Sequence, residues 1–217
     1  MKTQYDISRY NMVNYIKTWE VDDNTILDIM GSISRESFFP DNLSSLSYAD
    51  AMVPIGHGQV SLEPKVIARI LQSLNVKKSH TVLEIGTGSG YLTTILSKLA
   101  KEVHTIELIP EISNNAKFIF DKLNIKNISS EIGNGLDNLD KLNSFDLIVV
   151  TGSLNKVPQN LIKKLNKKGK LFLTVGTKPI MRATMFTKTD NGILEEILFD
   201  TSIPEIVDNR DCKNIQY

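Results

Sequence analysis

Apolar residues recur with different rhythms on either side of Pro64. After Pro64, short apolar runs alternate with stretches of helical spacing. Val66, Ile67, Ile70, Leu71 and Leu74 mark one face of a helix that Pro64 opens, a position where the missing N–H costs nothing. Residues 81–85 read as a buried strand, 103–107 as the next, 128–132 as a weaker one and 145–150 as a strong central one. Between them, Tyr91, Leu92, Ile95, Leu96 and Leu99 give one helical face, and Ile112, Ala116, Ile119, Phe120 and Leu123 another. Pro158 opens a helix through Leu161, Ile162 and Leu165, stopped by Gly169, and residues 171–175 form a strand. Runs at 183–189 and 193–199 flank Asp190-Asn191-Gly192, where Asn-Gly signals a hairpin. Strands alternating with helices require parallel pairing. The expected fold is α/β: a Rossmann-like, doubly wound, mostly parallel seven-stranded sheet closed by a C-terminal antiparallel hairpin.

Before Pro64 the pattern is helical, then irregular. Met12, Ile16 and Trp19 share a helix face, and Asp22 or Asp23 caps a second helix striped by Ile26, Ile29, Met30 and Ile33. Residues 35–63 hold Pro40, Pro54, Gly56 and Gly58, but also Phe38, Phe39 and Tyr48, which implies a packed rather than a loose segment. An irregular stretch of that length is usually functional. The expected organisation is an N-terminal extension, 1–63, on a core, 64–217, in one compact unit.

Composition narrows the function. Lys+Arg and Asp+Glu are 25 each among 217 residues, so the basic excess of a non-specific nucleic-acid binder is missing. The single cysteine, Cys212, excludes an intrachain disulfide and points to a reducing compartment. With no apolar leader at the start and no run approaching the roughly 20 residues of a membrane span, the expectation is a cytoplasmic protein with no membrane partner. His57, His80 and His104 are scattered, so no metal site is expected.

The densest chemistry lies where the first core strand runs into a helix, at Glu84-Ile85-Gly86-Thr87-Gly88-Ser89-Gly90. Glycines there let the backbone turn tightly and approach a ligand. The spacing is G-x-G-x-G, whereas the dinucleotide fingerprint places its last glycine one residue later. Glu84 beside the loop would repel a pyrophosphate but suits a ligand with a cationic amino-acid head, such as S-adenosylmethionine. Glu107, about 20 residues beyond Gly86, suits a bidentate contact to ribose hydroxyls. That contact serves a nicotinamide dinucleotide equally well, and only the loop separates the two. Asn134, in Gly133-Asn134-Gly135 after the third strand, offers a polar side chain to an adenine amino group.

Arg35-Glu36-Ser37-Phe38-Phe39-Pro40, Ser47-Tyr48-Ala49-Asp50, Pro54-Ile55-Gly56-His57-Gly58-Gln59 and Val82 through Leu92, together with Phe145-Asp146-Leu147-Ile148 and Gly169-Lys170-Leu171, carry a resemblance across nearly the whole chain. The chain resembles the protein-L-isoaspartate O-methyltransferases. The resemblance implies methyl transfer from S-adenosylmethionine to the carboxylate of isoaspartyl residues in protein or peptide substrates. It also implies that the 53–63 loop covers the cofactor, with Gln59, Val60, Thr87, Leu108, Gly135 and Thr151 joining Glu84, Gly86, Gly88, Gly90, Glu107 and Asn134 around it. No general base is required, because a carboxylate is already a nucleophile and the enzyme has only to align it and exclude water.

The chain also departs from that family. Leu62 stands where the family has its active-site serine, and leucine donates no hydrogen bond. Ser61 is the candidate replacement, though an extended segment would turn it to the opposite face from Leu62. Glu63 adds a negative charge beside a site that should accept a carboxylate. Asn134 replaces an aspartate, and the C-terminus from Thr201 onward does not match the family tail. Two other readings stay open: a methyltransferase for a different acceptor, with Leu62 in an apolar pocket, and a non-catalytic S-adenosylmethionine-binding interaction protein.

Overall fold

The computed structural model describes residues 3–137 and 139–207, and Cys212 lies outside them. Helix α1, Gln4–Lys17, starts from a reciprocal cap in which Thr3 and Asp6 satisfy each other's backbone N–H groups. It buries Met12 and Ile16. Trp19, expected on the same face, lies beyond the helix end, where its ring lies 4.3 Å from the Lys65 ammonium. Helix α2, Asn24–Ser32, is capped by the Asp23 carboxylate, which accepts from the Thr25 and Ile26 N–H groups. The irregular stretch that follows is packed, as its aromatics suggested. It holds two 3₁₀ turns, Arg35–Phe38 and Asp41–Leu46, and a small antiparallel hairpin of β1, Val53–Gly56, and β2, Gln59–Ser61. Helix α3, Pro64–Leu74, begins at its proline.

The main sheet is built from β3 (Thr81–Ile85), β4 (Glu102–Glu107), β5 (Ile128–Ile132), β6 (Phe145–Leu154), β7 (Leu165–Thr177), β8 (Ile180–Thr189) and β9 (Gly192–Asp200). Its order is β5-β4-β3-β6-β7-β8-β9, parallel from β5 to β7 and antiparallel thereafter. Helices α4 (Tyr91–Leu99), α5 (Pro110–Lys122) and α6 (Gln159–Lys163) connect the strands. This is the expected seven-stranded doubly wound architecture with its closing hairpin.

One local expectation fails, and one is refined by a residue. Helix α6 is a short turn, and Leu165 and Gly169 belong to β7. Leu165 pairs with Phe145, the Asn166 amide donates to Asp146, and a register shift of three residues falls between Leu165 and Lys170, where Lys168 stands at φ 62°. Sheet hydrogen bonds outweigh the helical spacing of three leucine-like positions. In the hairpin, Asp190 and Asn191 make the loop and Gly192, at φ 127°, already pairs with Thr189.

Alternate side chains of β3 and β6 supply the two faces of the sheet. Val82 and Leu147 join the larger cluster, which runs without a break through Met12, Ile16, Met30, Phe38, Tyr91 and Phe172. Leu83 and Ile148 join the smaller one. The N-terminal helices therefore share the core of the sheet's α3–α4 face. Ile16 and Met30 are fully buried, each worth about 1.5–3 kcal/mol of transfer free energy. No helix among the described residues is long and apolar enough to cross a membrane.

Candidate active site

Parallel strands place their C-terminal ends, and the turns that follow them, at one edge of the sheet. At that edge β3 enters the glycine loop, where Gly86, Gly88 and Gly90 have φ of 89°, 55° and 81°. These are left-handed conformations that strain any residue with a Cβ. At Gly86 a Cβ would also collide with the Thr151 hydroxyl. That hydroxyl donates to the carbonyls of Ile85 (3.1 Å) and Gly86 (2.7 Å), tying the end of β3 to β6. Glu107, at the end of β4, accepts from the N–H groups of Gly88 (2.9 Å) and Ile109 (3.1 Å). Three strand ends are thus locked around a cleft of about 690 Å³.

Most of the expected cofactor residues meet there. The hairpin contributes Gln59 and Val60. The strand ends contribute Gly86, Gly88, Glu107, Leu108 and Thr151, and the loop after β5 contributes Asn134 and Gly135. The Asn134 amide oxygen accepts from the Leu136 N–H (3.0 Å) and its nitrogen donates to Asp137 (2.8 Å), so the side chain is held in place. The Glu107 carboxylate oxygens keep further acceptor capacity for a ligand.

Glu84, Thr87 and Gly90 are placed differently. Glu84 shares a sheet face with Val82 and points into the protein under α4, fully buried. One of its oxygens accepts from Thr93 (2.5 Å) and Thr105 (2.6 Å), and Thr105 is linked to Thr87 at 2.6 Å. Burial pushes the Glu84 carboxyl up to about 8, and the two hydroxyls and the nearby Glu107 charge modify that rise in opposite senses. Glu84 is a support under the loop, not a partner for a cationic head in the cleft. Gly90 does not line the cleft either. A Cβ there would stand 2.8 Å from the Phe120 ring, so its role is to let α4 start against α5. Thr87 is buried and borders only a second, smaller cavity.

That second cavity, about 340 Å³, shares Val60, Leu62, Gly86, Gly88 and Thr151 with the cleft and is closed by Ser61, Ile67, Ser89 and Leu92. Ser61 and Leu62 both border it. The opposite-face expectation fails because β2 ends at Ser61 and the chain turns toward α3, ending the strand alternation. The Ser61 hydroxyl accepts from a guanidinium nitrogen of Arg35 at 3.2 Å, and Ser89 approaches it at 3.5 Å. Glu63 lines neither cavity. Its carboxylate lies 3.3 Å from the Lys65 ammonium, which also holds Asp50 at 2.6 Å, so the expected repulsion is answered locally.

Two contributions were not visible in the sequence. Pro204, Glu205, Ile206 and Val207 form part of the cleft wall. This tail returns to the end of β6, where the Ser153 N–H donates to Pro204 (2.9 Å) and the Ile206 N–H to Ser153 (3.0 Å). The glycine at 152 was the available signal, since a Cβ there would collide with Ile206 at 2.8 Å. The other is Arg35, a fully buried cation behind Ser61.

The cleft suits a nucleoside ligand with an amino-acid arm. It offers a carboxylate for vicinal hydroxyls, a polar side chain beyond it and a glycine cradle that backbone can approach, and it opens onto a small chamber where a second reactant can meet that arm. Comparison with known proteins agrees. A family model described as Protein-L-isoaspartate(D-aspartate) O-methyltransferase (PCMT) matches residues 8–201. A protein-L-isoaspartate O-methyltransferase of Gloeobacter violaceus is 34% identical over 180 residues, covering 82% of this chain and 88% of that protein. A protein-L-isoaspartate O-methyltransferase 2 of Shewanella sediminis is 37% identical over 174 residues, covering 80% and 71%. Among solved structures, a beta-aspartate methyltransferase (PCMT) from Plasmodium falciparum in complex with S-adenosyl-L-homocysteine superposes with a TM-score of 0.80 at 23% identity, covering 96% of this chain and all of that one.

Proposed function

Since the chain belongs to the protein-L-isoaspartate(D-aspartate) O-methyltransferase family, we propose that it esterifies the carboxyl group of isoaspartyl residues in proteins or peptides, with S-adenosylmethionine as cofactor. The observation that carries this reading is the wall shared by the two cavities. Val60, Leu62, Gly86, Gly88 and Thr151 border both, so a ligand in the cleft abuts an acceptor in the chamber.

When bound, S-adenosylmethionine supplies an electrophilic methyl group. The residues do the rest by placement. Glu107 takes the ribose hydroxyls, Asn134 and Leu108 the adenine side, and the Gly86–Gly88 turn with Thr151, Gln59 and Val60 the amino-acid arm. Ser61 donates to the acceptor carboxylate in the place of the family serine, while Leu62, Ile67 and Leu92 keep water out of the chamber. Alignment and water exclusion are what this reaction requires, because the acceptor is already anionic. A less polar acceptor is the second reading, favoured by those same apolar walls.

The test is methyl transfer from radiolabelled S-adenosylmethionine to an isoaspartyl peptide, with the aspartyl peptide as control. Label on the isoaspartyl peptide alone, released as methanol in mild base, is the expected result. Base-stable label, or none in a preparation that binds the cofactor, contradicts it.

A further inference from the structure

Arg35 is fully buried, and the structure gives it no ion pair with an acid among the described residues. Its guanidinium lies between the rings of Phe39 (5.1 Å) and Tyr91 (4.9 Å) and donates to the Ser47 carbonyl (2.8 Å), the Leu62 carbonyl (2.9 Å) and the Ser61 hydroxyl (3.2 Å). Burial lowers its pKa to about 10, which still leaves it charged at neutral pH. A buried cation without an acid is expensive; the two rings and the carbonyls offset part of that cost. What remains is a positive charge one hydrogen bond behind the wall of the acceptor chamber.

The direction of those bonds matters. The Ser61 oxygen accepts from Arg35 and is approached by the Ser89 hydroxyl. Arg35 can only donate, so Ser61 meets it with its oxygen, which leaves the Ser61 O–H to donate into the chamber it borders. A hydrogen bond strengthens when its donor is itself polarised by a charged neighbour.

We infer that Arg35 is a positioning residue acting through Ser61, orienting and polarising its hydroxyl so that the chamber prefers an anionic carboxylate, and thereby replacing the serine lost at Leu62. This deepens the proposed function and rests on it. The charge and the hydroxyl form one relay, and neither group alone provides the carboxylate contact.

A double-mutant cycle tests the relay. Peptide kcat/KM and cofactor Kd are measured for the wild type, Arg35→Lys, Ser61→Ala and the double variant. The expected result is a loss of about tenfold in kcat/KM for Arg35→Lys, shrinking to within about twofold when Ser61 is already alanine, with cofactor Kd steady throughout. Equal losses in both backgrounds would show a merely structural arginine and overturn the relay. A second arm needs no change at Arg35. Competition by the isoaspartyl peptide and by its neutral carboxamide analogue is compared in wild type and Ser61→Ala. The preference for the carboxylate should fall about tenfold in Ser61→Ala, and an undiminished preference overturns the relay even if Arg35→Lys does not fold. Wild-type protein that binds cofactor but leaves the isoaspartyl peptide unmethylated would overturn the substrate reading itself, and this inference with it.

Discussion

On the cofactor side of the cleft, the contacts join neighbouring strand ends: Gly88 to Glu107, Thr151 to Gly86, Glu107 to Ile109. On the acceptor side they lie within the N-terminal extension, outside the sheet: the Arg35 guanidinium donates to the Ser61 hydroxyl and the Leu62 carbonyl. The first kind of wall follows from sheet topology, because any doubly wound sheet gathers its strand ends at one edge. The second depends on how one particular extension packs. A family can therefore keep the frame of its cofactor site while its acceptor site is rebuilt, and the loss of a serine at Leu62 falls on the side where rebuilding is possible.

Perturbing each side sharpens that contrast. The largest effect should come from Gly86→Ala, which combines a strained φ of 89° with a collision against Thr151. Cofactor binding by calorimetry should weaken more than about a hundredfold, because the strained backbone is compounded by expulsion of the Thr151 hydroxyl that ties the end of β3 to β6. Glu107→Ala should follow, with cofactor affinity down about thirtyfold. It removes a charged acceptor from the cleft and also frees the Gly88 N–H that shapes the loop.

A smaller effect is expected from Glu84→Gln, and it concerns stability. The folded-state carboxyl titrates near 8 against an ordinary 4.5, so between those values the folded chain holds a proton that the unfolded chain has released. Its contribution is fully present below 4.5 and is lost as pH rises through about 8. The thermal midpoint of the wild type should therefore fall across that window by a few degrees more than that of Glu84→Gln. An equal slope in both proteins would show that Glu84 is ionised in the fold. The smallest effect should come from Leu62→Ser. A second hydroxyl in the chamber should change peptide KM by no more than about threefold and leave cofactor Kd alone, because the relay at Ser61 already supplies the donor.

The two sides also differed in how far the sequence revealed them. Strand and helix periods from Pro64 onward marked nearly every core element, and the Glu107 offset was readable because it depends only on one helix and one strand. Glu84 was readable as part of the loop but not in its orientation. Strand alternation turns it away from the cleft, and the motif alone does not say which face the helix will cover. The start of β7 was misread because leucines at helical spacing are equally compatible with a bulged strand that pairs with Phe145. Arg35 and the tail were not readable as site components at all. Burial of Arg35 is sustained by partners 12, 26 and 27 residues away, and no local pattern encodes such contacts.

The most direct measurement pairs one residue from each side. Cofactor Kd, and peptide KM at saturating cofactor, are determined for Glu107→Ala and Ser61→Ala. Independent walls predict that Glu107→Ala raises cofactor Kd with peptide KM nearly unchanged, and that Ser61→Ala raises peptide KM with cofactor Kd nearly unchanged. If each variant moves both constants together, the two walls are one cooperative site and the account of a separable cofactor half beside a rebuilt acceptor half is contradicted.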